Sequence, residues 1–183
     1  MTGSRRELVF QDFAAFVYGS APHCPSCTRV TDPAAAALPD DALDPPFDVS
    51  LTFDGAVLAS GSFRAACRDF AGARFDPVGG ADDLWVLEVD PIVRLEPFDS
   101  NVRQGPACDA CGHVRWATRS GPQVIDGDDG SAGLVRSDIE FGDTADFGAD
   151  QPIRLRPALF VDGATASVLK GADLLGVHLI TQP

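Results

Sequence analysis

The sequence predicts an α+β fold: a mostly antiparallel or mixed sheet with few short helices. Three observations carry the prediction. A pattern of strand, capped helix, glycine and strand occurs twice, over residues 49–78 and 159–180. Two Cys-x-x-Cys pairs, Cys24-Pro-Ser-Cys27 and Cys108-Asp-Ala-Cys111-Gly112, stand far apart in the chain, as zinc-ribbon knuckles tying two strand-helix-strand halves would. The chain's 183 residues, 45% of them hydrophobic, suffice to bury a real core in a single zinc-containing domain spanning 1–183.

The elements follow in order. Residues 8–18 contain Phe10, Phe13, Phe16 and Val17 at a spacing that fits a helical face, but the aromatic content and the position before a knuckle favour strands. The first knuckle, 24–27, leads into a linker over 31–47 that contains Pro33, Pro39, Pro45 and Pro46 and suits no regular element. Residues 49–53 read as a strand and 57–59 as a second extended piece. Ser60 is the N-cap of a helix over 63–70, Gly72 its stop, and 73–78 continue extended. Residues 84–95 form the strongest strand signal, with Trp85, Leu87 and Val89 on one face, Glu88 and Asp90 on the other, and Pro91 demanding a break or bulge. After the second knuckle, 114–118 read as the outgoing strand of a ribbon hairpin. Residues 159–161 are then a strand, Asp162 the cap, 164–174 the helix, Gly176 the stop and 177–180 the closing strand. Cap and glycine lie 12 residues apart in the first pattern and 14 in the second. The chain therefore reads as a candidate duplication, with a first half over 1–100 and a second over 101–183.

Each Cys-x-x-Cys turn lets two sulfurs grip one ion while backbone N–H groups point at them. Four thiolates, Cys24, Cys27, Cys108 and Cys111, then fill a tetrahedral zinc site with no open position, which makes the metal structural. Gly112 suits the left-handed turn that ends such a knuckle. A redox dithiol would need Cys24 at a helix N-terminus, whereas Thr28 to Pro33 discourages a helix and leaves the second pair unexplained. Disulfides would suit a secreted chain, but Gln11 and Asp12 interrupt any apolar leader, and the expected compartment is the cytoplasm. His23 and His113 lie beside the knuckles as polar neighbours of the thiolates, and His178 sits in the final strand. Cys67, the fifth cysteine, reads as a small buried hydrophobe, and Trp85 and Trp116 as core residues.

Charge narrows the function. Fourteen basic and 27 acidic residues give a net charge of −13, which repels phosphate backbones and argues against nucleic acid as a partner. No apolar run approaches the ~20 residues of a membrane span. Between 126 and 150 stand eight carboxylates against one basic residue, Arg136, a local net of −7 that suits either a solvated loop or a surface for a basic partner. Neither a Gly-x-Ser-x-Gly elbow, nor a His-Glu-x-x-His pair, nor a phosphate loop is present, and the run from Asp126 has Gly130, Ser131 and Ser137 where a calcium loop needs a ligand, its glycine and its bidentate Glu. The expectation is a protein that is not an enzyme.

The two separated knuckles, the second being Cys-x-x-Cys-Gly, together with the closing segment from Leu159-Phe160-Val161-Asp162 through a short helix to Leu175-Gly176-Val177-His178-Leu179, resemble the double-CXXCG motif family. Thr28 departs from that pattern where the first glycine would stand. The family is typified by myxobacterial paralogues, some of them immunity proteins paired with swarm-inhibition toxins. The resemblance implies one structural Zn²⁺ and a protein partner, a toxin that the charge suggests is basic. Asp126, Asp128, Asp129, Asp138 and Glu140 are candidates for the surface that meets it. A zinc-ribbon adaptor in a cellular complex, or a thiol oxidoreductase, are the other readings.

Overall fold

The computed structural model describes residues 5–13, 15, 17, 21–32, 43–78, 81–90, 92–95, 102–120, 133–143 and 155–181. The aromatic N-terminal stretch is extended, as β1 (Arg6–Phe13). It is followed by β2 (Val49–Thr52), β3 (Val57–Ser60), α1 (Gly61–Cys67), β4 (Ala73–Pro77), β5 (Leu84–Val89) and β6 (Ile92–Val93). The second part of the chain supplies β7 (Val102–Gln104), β8 (Trp116–Arg119), β9 (Leu134–Asp143), β10 (Arg156–Val161), α2 (Gly163–Gly171) and β11 (Val177–Thr181). The strands join in the order β4-β5-β3-β2-β1-β10-β9-β8-β7, with β11 added to β1 and β6 to β9. Most pairings are antiparallel; β1 with β2 and β6 with β9 are parallel, so the sheet is mixed.

Both predicted helix caps form. Ser60 Oγ accepts from the N–H of Phe63 at 3.2 Å, and Asp162 Oδ1 from that of Thr165 at 2.7 Å, each satisfying a donor the first turn leaves unpaired. Both helices are shorter than the periodicity suggested, ending at Cys67 and Gly171 rather than 70 and 174. Gly176, at φ +80, re-enters the sheet against β2: an added Cβ would lie 2.6 Å from the carbonyl oxygen of Val49, so only glycine fits. The two strand-helix-strand segments share one geometry. β3 and β4 both pair antiparallel with β5, and β10 and β11 both pair antiparallel with β1, so each helix carries the chain over one intervening strand.

Alternation along the strands sorts the core into layers. Leu87 and Val89 join Phe63 and Cys67 of α1, Ala166 and Leu169 of α2, and Leu159 and Val161 in one cluster. The opposite parity of β5, Leu84 and Val86, packs with Leu58, Val17 and Val30. The expected polar face of β5 is thus half apolar: only Glu88 of that strand is polar, and Leu84 and Val86 are buried. Val135, Ala158 and Phe160 form a third cluster with Val93 and Leu95.

β9 is the largest departure from expectation. Residues 134–143 of the acidic stretch are a ten-residue strand inside the sheet, paired on one side with β10 and on the other with β8. Val135, Ser137, Ile139 and Phe141 alternate with Leu134, Arg136, Asp138 and Glu140, a period-two pattern that the net charge of the stretch conceals. Asp126, Asp128 and Asp129 lie outside the described residues.

A candidate metal centre of four thiols

Each knuckle closes on itself by the same hydrogen bonds. The N–H of Thr28 donates to the carbonyl of Cys24 at 2.8 Å, and that of Gly112 to Cys108 at 2.7 Å. Back across each turn, Cys24 N–H donates to Arg29 and Cys108 N–H to His113, at 2.9 and 2.8 Å. An isolated bridge flanks each turn, His23 with Val30 and Ala107 with Val114. Pro22 and Pro106 accept from the N–H groups of Thr31 and Arg115. The common unit is therefore Pro-x-Cys-x-x-Cys-x-x-Val, longer than the cysteine spacing alone, and Pro22, Val30, Pro106 and Val114 were readable as its outer positions.

Left-handed backbone ends both turns. Gly112 has φ +75 with nothing within 4 Å of an added Cβ, as glycine at that position predicts. Thr28 adopts φ +58 at the equivalent place, a conformation that costs a β-branched residue about 1–2 kcal/mol. Its Oγ1 donates to the carbonyl of Cys27 at 2.7 Å, and the side chain is buried. Thr28 and Gly112 thus differ in residue type and not in the left-handed turn they end.

The knuckles face each other. Cys24 Sγ lies 3.8 Å from Cys108 Sγ and Cys27 Sγ lies 3.7 Å from Cys111 Sγ, and all four sulfurs fall within 4.8 Å of one another. A tetrahedron with metal–sulfur bonds of ~2.3 Å has edges of about 3.8 Å, so two opposite edges match and the group as a whole is compatible with one ion. The cysteines are free thiols, with Cys24, Cys27 and Cys108 buried. Neither His23 nor His113 belongs to the group; both rings are exposed, and His23 Nδ1 is 3.0 Å from the carbonyl of Ala21.

Electrostatics at the four sulfurs is uneven without a cation. Backbone N–H groups of Ala110 and Cys111 point at Cys108 and hold its thiol down to about 6. Burial pushes Cys27 up to about 12, against the opposing N–H of Arg29. Four soft donors crowded in this way suit a thiophilic cation such as zinc, whose charge lets all four ionise together. With four protein donors no position remains for substrate, so a bound ion would be structural.

Arg29 links the knuckles without metal, a role the sequence reading missed. One guanidinium nitrogen donates to the carbonyl of Val114, at the exit of the second knuckle, at 3.1 Å, and the other pairs with Glu140 on β9. Arg136 approaches the same carboxylate at 3.6 Å. Glu140, one of the candidate partner residues, is therefore engaged inside the protein. Asp138 is exposed but accepts from the N–H of Leu95 at 3.0 Å, fixing the end of the β6 segment.

Among the described residues no helix is long and apolar enough to cross a membrane. The chain matches no family model, no curated protein and no solved structure.

Proposed function

We propose that this is a non-enzymatic, zinc-stabilised binding protein of immunity type, which neutralises a basic toxin through acidic surface. The observation that carries the metal half is the group of four thiols within 4.8 Å, three of them buried. One Zn²⁺ there ties the part of the chain that holds Cys24 and Cys27 to the part that holds Cys108 and Cys111. The binding half rests on the net charge of −13 and on the resemblance in the two knuckles and the closing segment. Asp126, Asp128 and Asp129 are the proposed acidic surface, with exposed Asp138 on β9 as a further candidate; Glu140, held by Arg29 and Arg136, is not counted in it.

Two measurements test it. Metal analysis of protein purified without chelator is expected to give about one zinc per chain, and chelation is expected to expose four thiols and to loosen the fold. A metal-free protein whose cysteine pairs oxidise reversibly with the fold intact would point to thiol chemistry instead. Co-purification from the native host is expected to recover a basic protein with one-to-one stoichiometry, whose affinity falls with salt. Joint replacement of Asp126, Asp128 and Asp129 by Asn should weaken that complex and flatten its salt dependence; unchanged affinity would sink the acidic-surface reading.

A further inference from the structure

β1 pairs with β10 only from Arg6 to Leu8, opposite Val161 to Leu159, and then turns away to run beside β2 from Gln11. Where the two strands splay apart the sheet has a gap, and a cavity of about 350 Å³ fills it. This is the lower end of the size range of small-ligand sites. Part of its lining is apolar: Leu8, Phe10, Val57, Leu87 and Val89. The rest is charged, and its composition is unusual for so acidic a chain. Arg119, Arg136 and Arg156, three of only 14 basic residues, line this one space from three adjacent strands.

The three arginines are not equally satisfied. Arg119 pairs with the buried carboxylate of Glu7 and lies 5.2 Å from the centre of the Phe141 ring, which fixes it in place. Arg136 is held by Glu140. Among the described residues Arg156 has only Asp12, at 3.9 Å, and the Asp12 side chain is 81% exposed. Partial removal from water lowers the Arg156 pKa, Asp12 opposes this, and Arg119 adds like-charge repulsion. Arg119 and Arg136 thus each keep a carboxylate of their own, whereas Arg156 depends on Asp12. When Asp12 swings into solvent, Arg156 is left without a carboxylate partner among the described residues.

From this arrangement we infer that the cavity binds a small amphiphilic carboxylate, with its headgroup at Arg156 and Arg119 in place of Asp12 and its hydrocarbon chain along Leu8, Phe10, Val57 and Leu87. A planar guanidinium matches a carboxylate in two-point geometry, and the strand gap joins that headgroup site to the apolar part of the lining. A ligand carboxylate then takes the place beside Arg156 that Asp12 holds at 3.9 Å. The site is separate from the four-thiol group, so its fate does not decide the metal reading.

Calorimetric titration of the metal-loaded full chain with octanoate tests this, with octan-1-ol and acetate as comparison probes. Octanoate is expected to bind one-to-one, and octan-1-ol about tenfold or more weaker for want of the charge. Acetate is expected to bind weaker by about a hundredfold or more, since each methylene lost removes apolar burial. Arg156→Gln should weaken octanoate about tenfold, while Asp12→Asn, which removes the competing carboxylate, should tighten it. Both side chains are substantially exposed, so the fold is expected to survive, as an unchanged unfolding midpoint would verify. Absence of octanoate binding, equal affinity for octan-1-ol, or indifference to both substitutions would each overturn the proposal.

Discussion

Ser50 sits in β2 opposite Leu58, fully buried, and its Oγ has no hydrogen-bond partner among the described residues. An unpaired hydroxyl in an apolar layer loses its water without recompense, a penalty of about 1–3 kcal/mol. Ser50→Ala is therefore expected to raise stability by about 1 kcal/mol in denaturant titration, and a loss would show that the hydroxyl has a role. Cys67 makes the complementary case. Packed among Phe63, Leu87 and Leu169, it behaves as the small hydrophobe its surroundings in the sequence suggested. Burial pushes its thiol from 9.0 up to about 12. Because the folded value is raised, this contribution is fully present below pH 9 and is lost as pH climbs from 9 toward 12. The loss is roughly 1.4 kcal/mol per pH unit, about 4 kcal/mol across the window. In metal-loaded protein, Cys67→Ala should flatten the fall in stability between pH 9 and 10.5; an unchanged slope would assign it to other groups.

The helix caps show how an element can serve two masters. Asp162 accepts from Thr165 N–H inside α2 and from Gly133 N–H, at 2.9 Å, just before β9. Burial would raise its pKa, but the N–H groups of Thr165 and Gly133 more than offset this and hold it below the ordinary carboxylate value. With the folded value depressed, its contribution is present above the ordinary carboxylate range and is lost as pH falls below it. Asp162→Ala is expected to cost about 1–2 kcal/mol at neutral pH and less at acid pH, where the wild-type carboxylate is itself protonated. A pH-independent cost would mean the carboxylate charge does not matter. The cap was readable from sequence because capping is local: an Asp stands directly before the segment 163–171 and its carboxylate meets the N–H three residues on. Its second bond, to Gly133, links elements that only the folded sheet makes neighbours.

At the scale of the molecule, Arg29 and the four thiols act on the same seam. Arg29 is 8% exposed and bonds both the second knuckle and β9. Arg29→Met preserves much of the volume but strands the Glu140 carboxylate with only Arg136 at 3.6 Å, and breaking such a pair costs about 3 kcal/mol. The loss is expected to be larger in chelated protein than in metal-loaded protein, because an ion bound by the four thiols would hold the same two segments together. Equal losses in both states would show that Arg29 and the thiols stabilise different parts of the fold.

The sequence by itself determined the features whose cause lies within a few residues: the knuckle turns, both N-caps, and the extended character of 49–52, 73–77 and 177–181; α2 itself stops at Gly171, before the expected Gly176. The four cysteines were identifiable as one group because thiols in Cys-x-x-Cys turns have few other uses in pairs. Tertiary structure decided what depends on neighbours remote in the chain. It made β9 a central strand despite its charge, because Glu140 pairs with both Arg136 and Arg29 while Val135 and Ser137, of the other parity, are buried. It buried both faces of β5, since apolar residues of either parity find a layer to join. It also gathered three scattered arginines at one gap in the sheet, a meeting of β8, β9 and β10 that strand order, and not spacing along the chain, brings about.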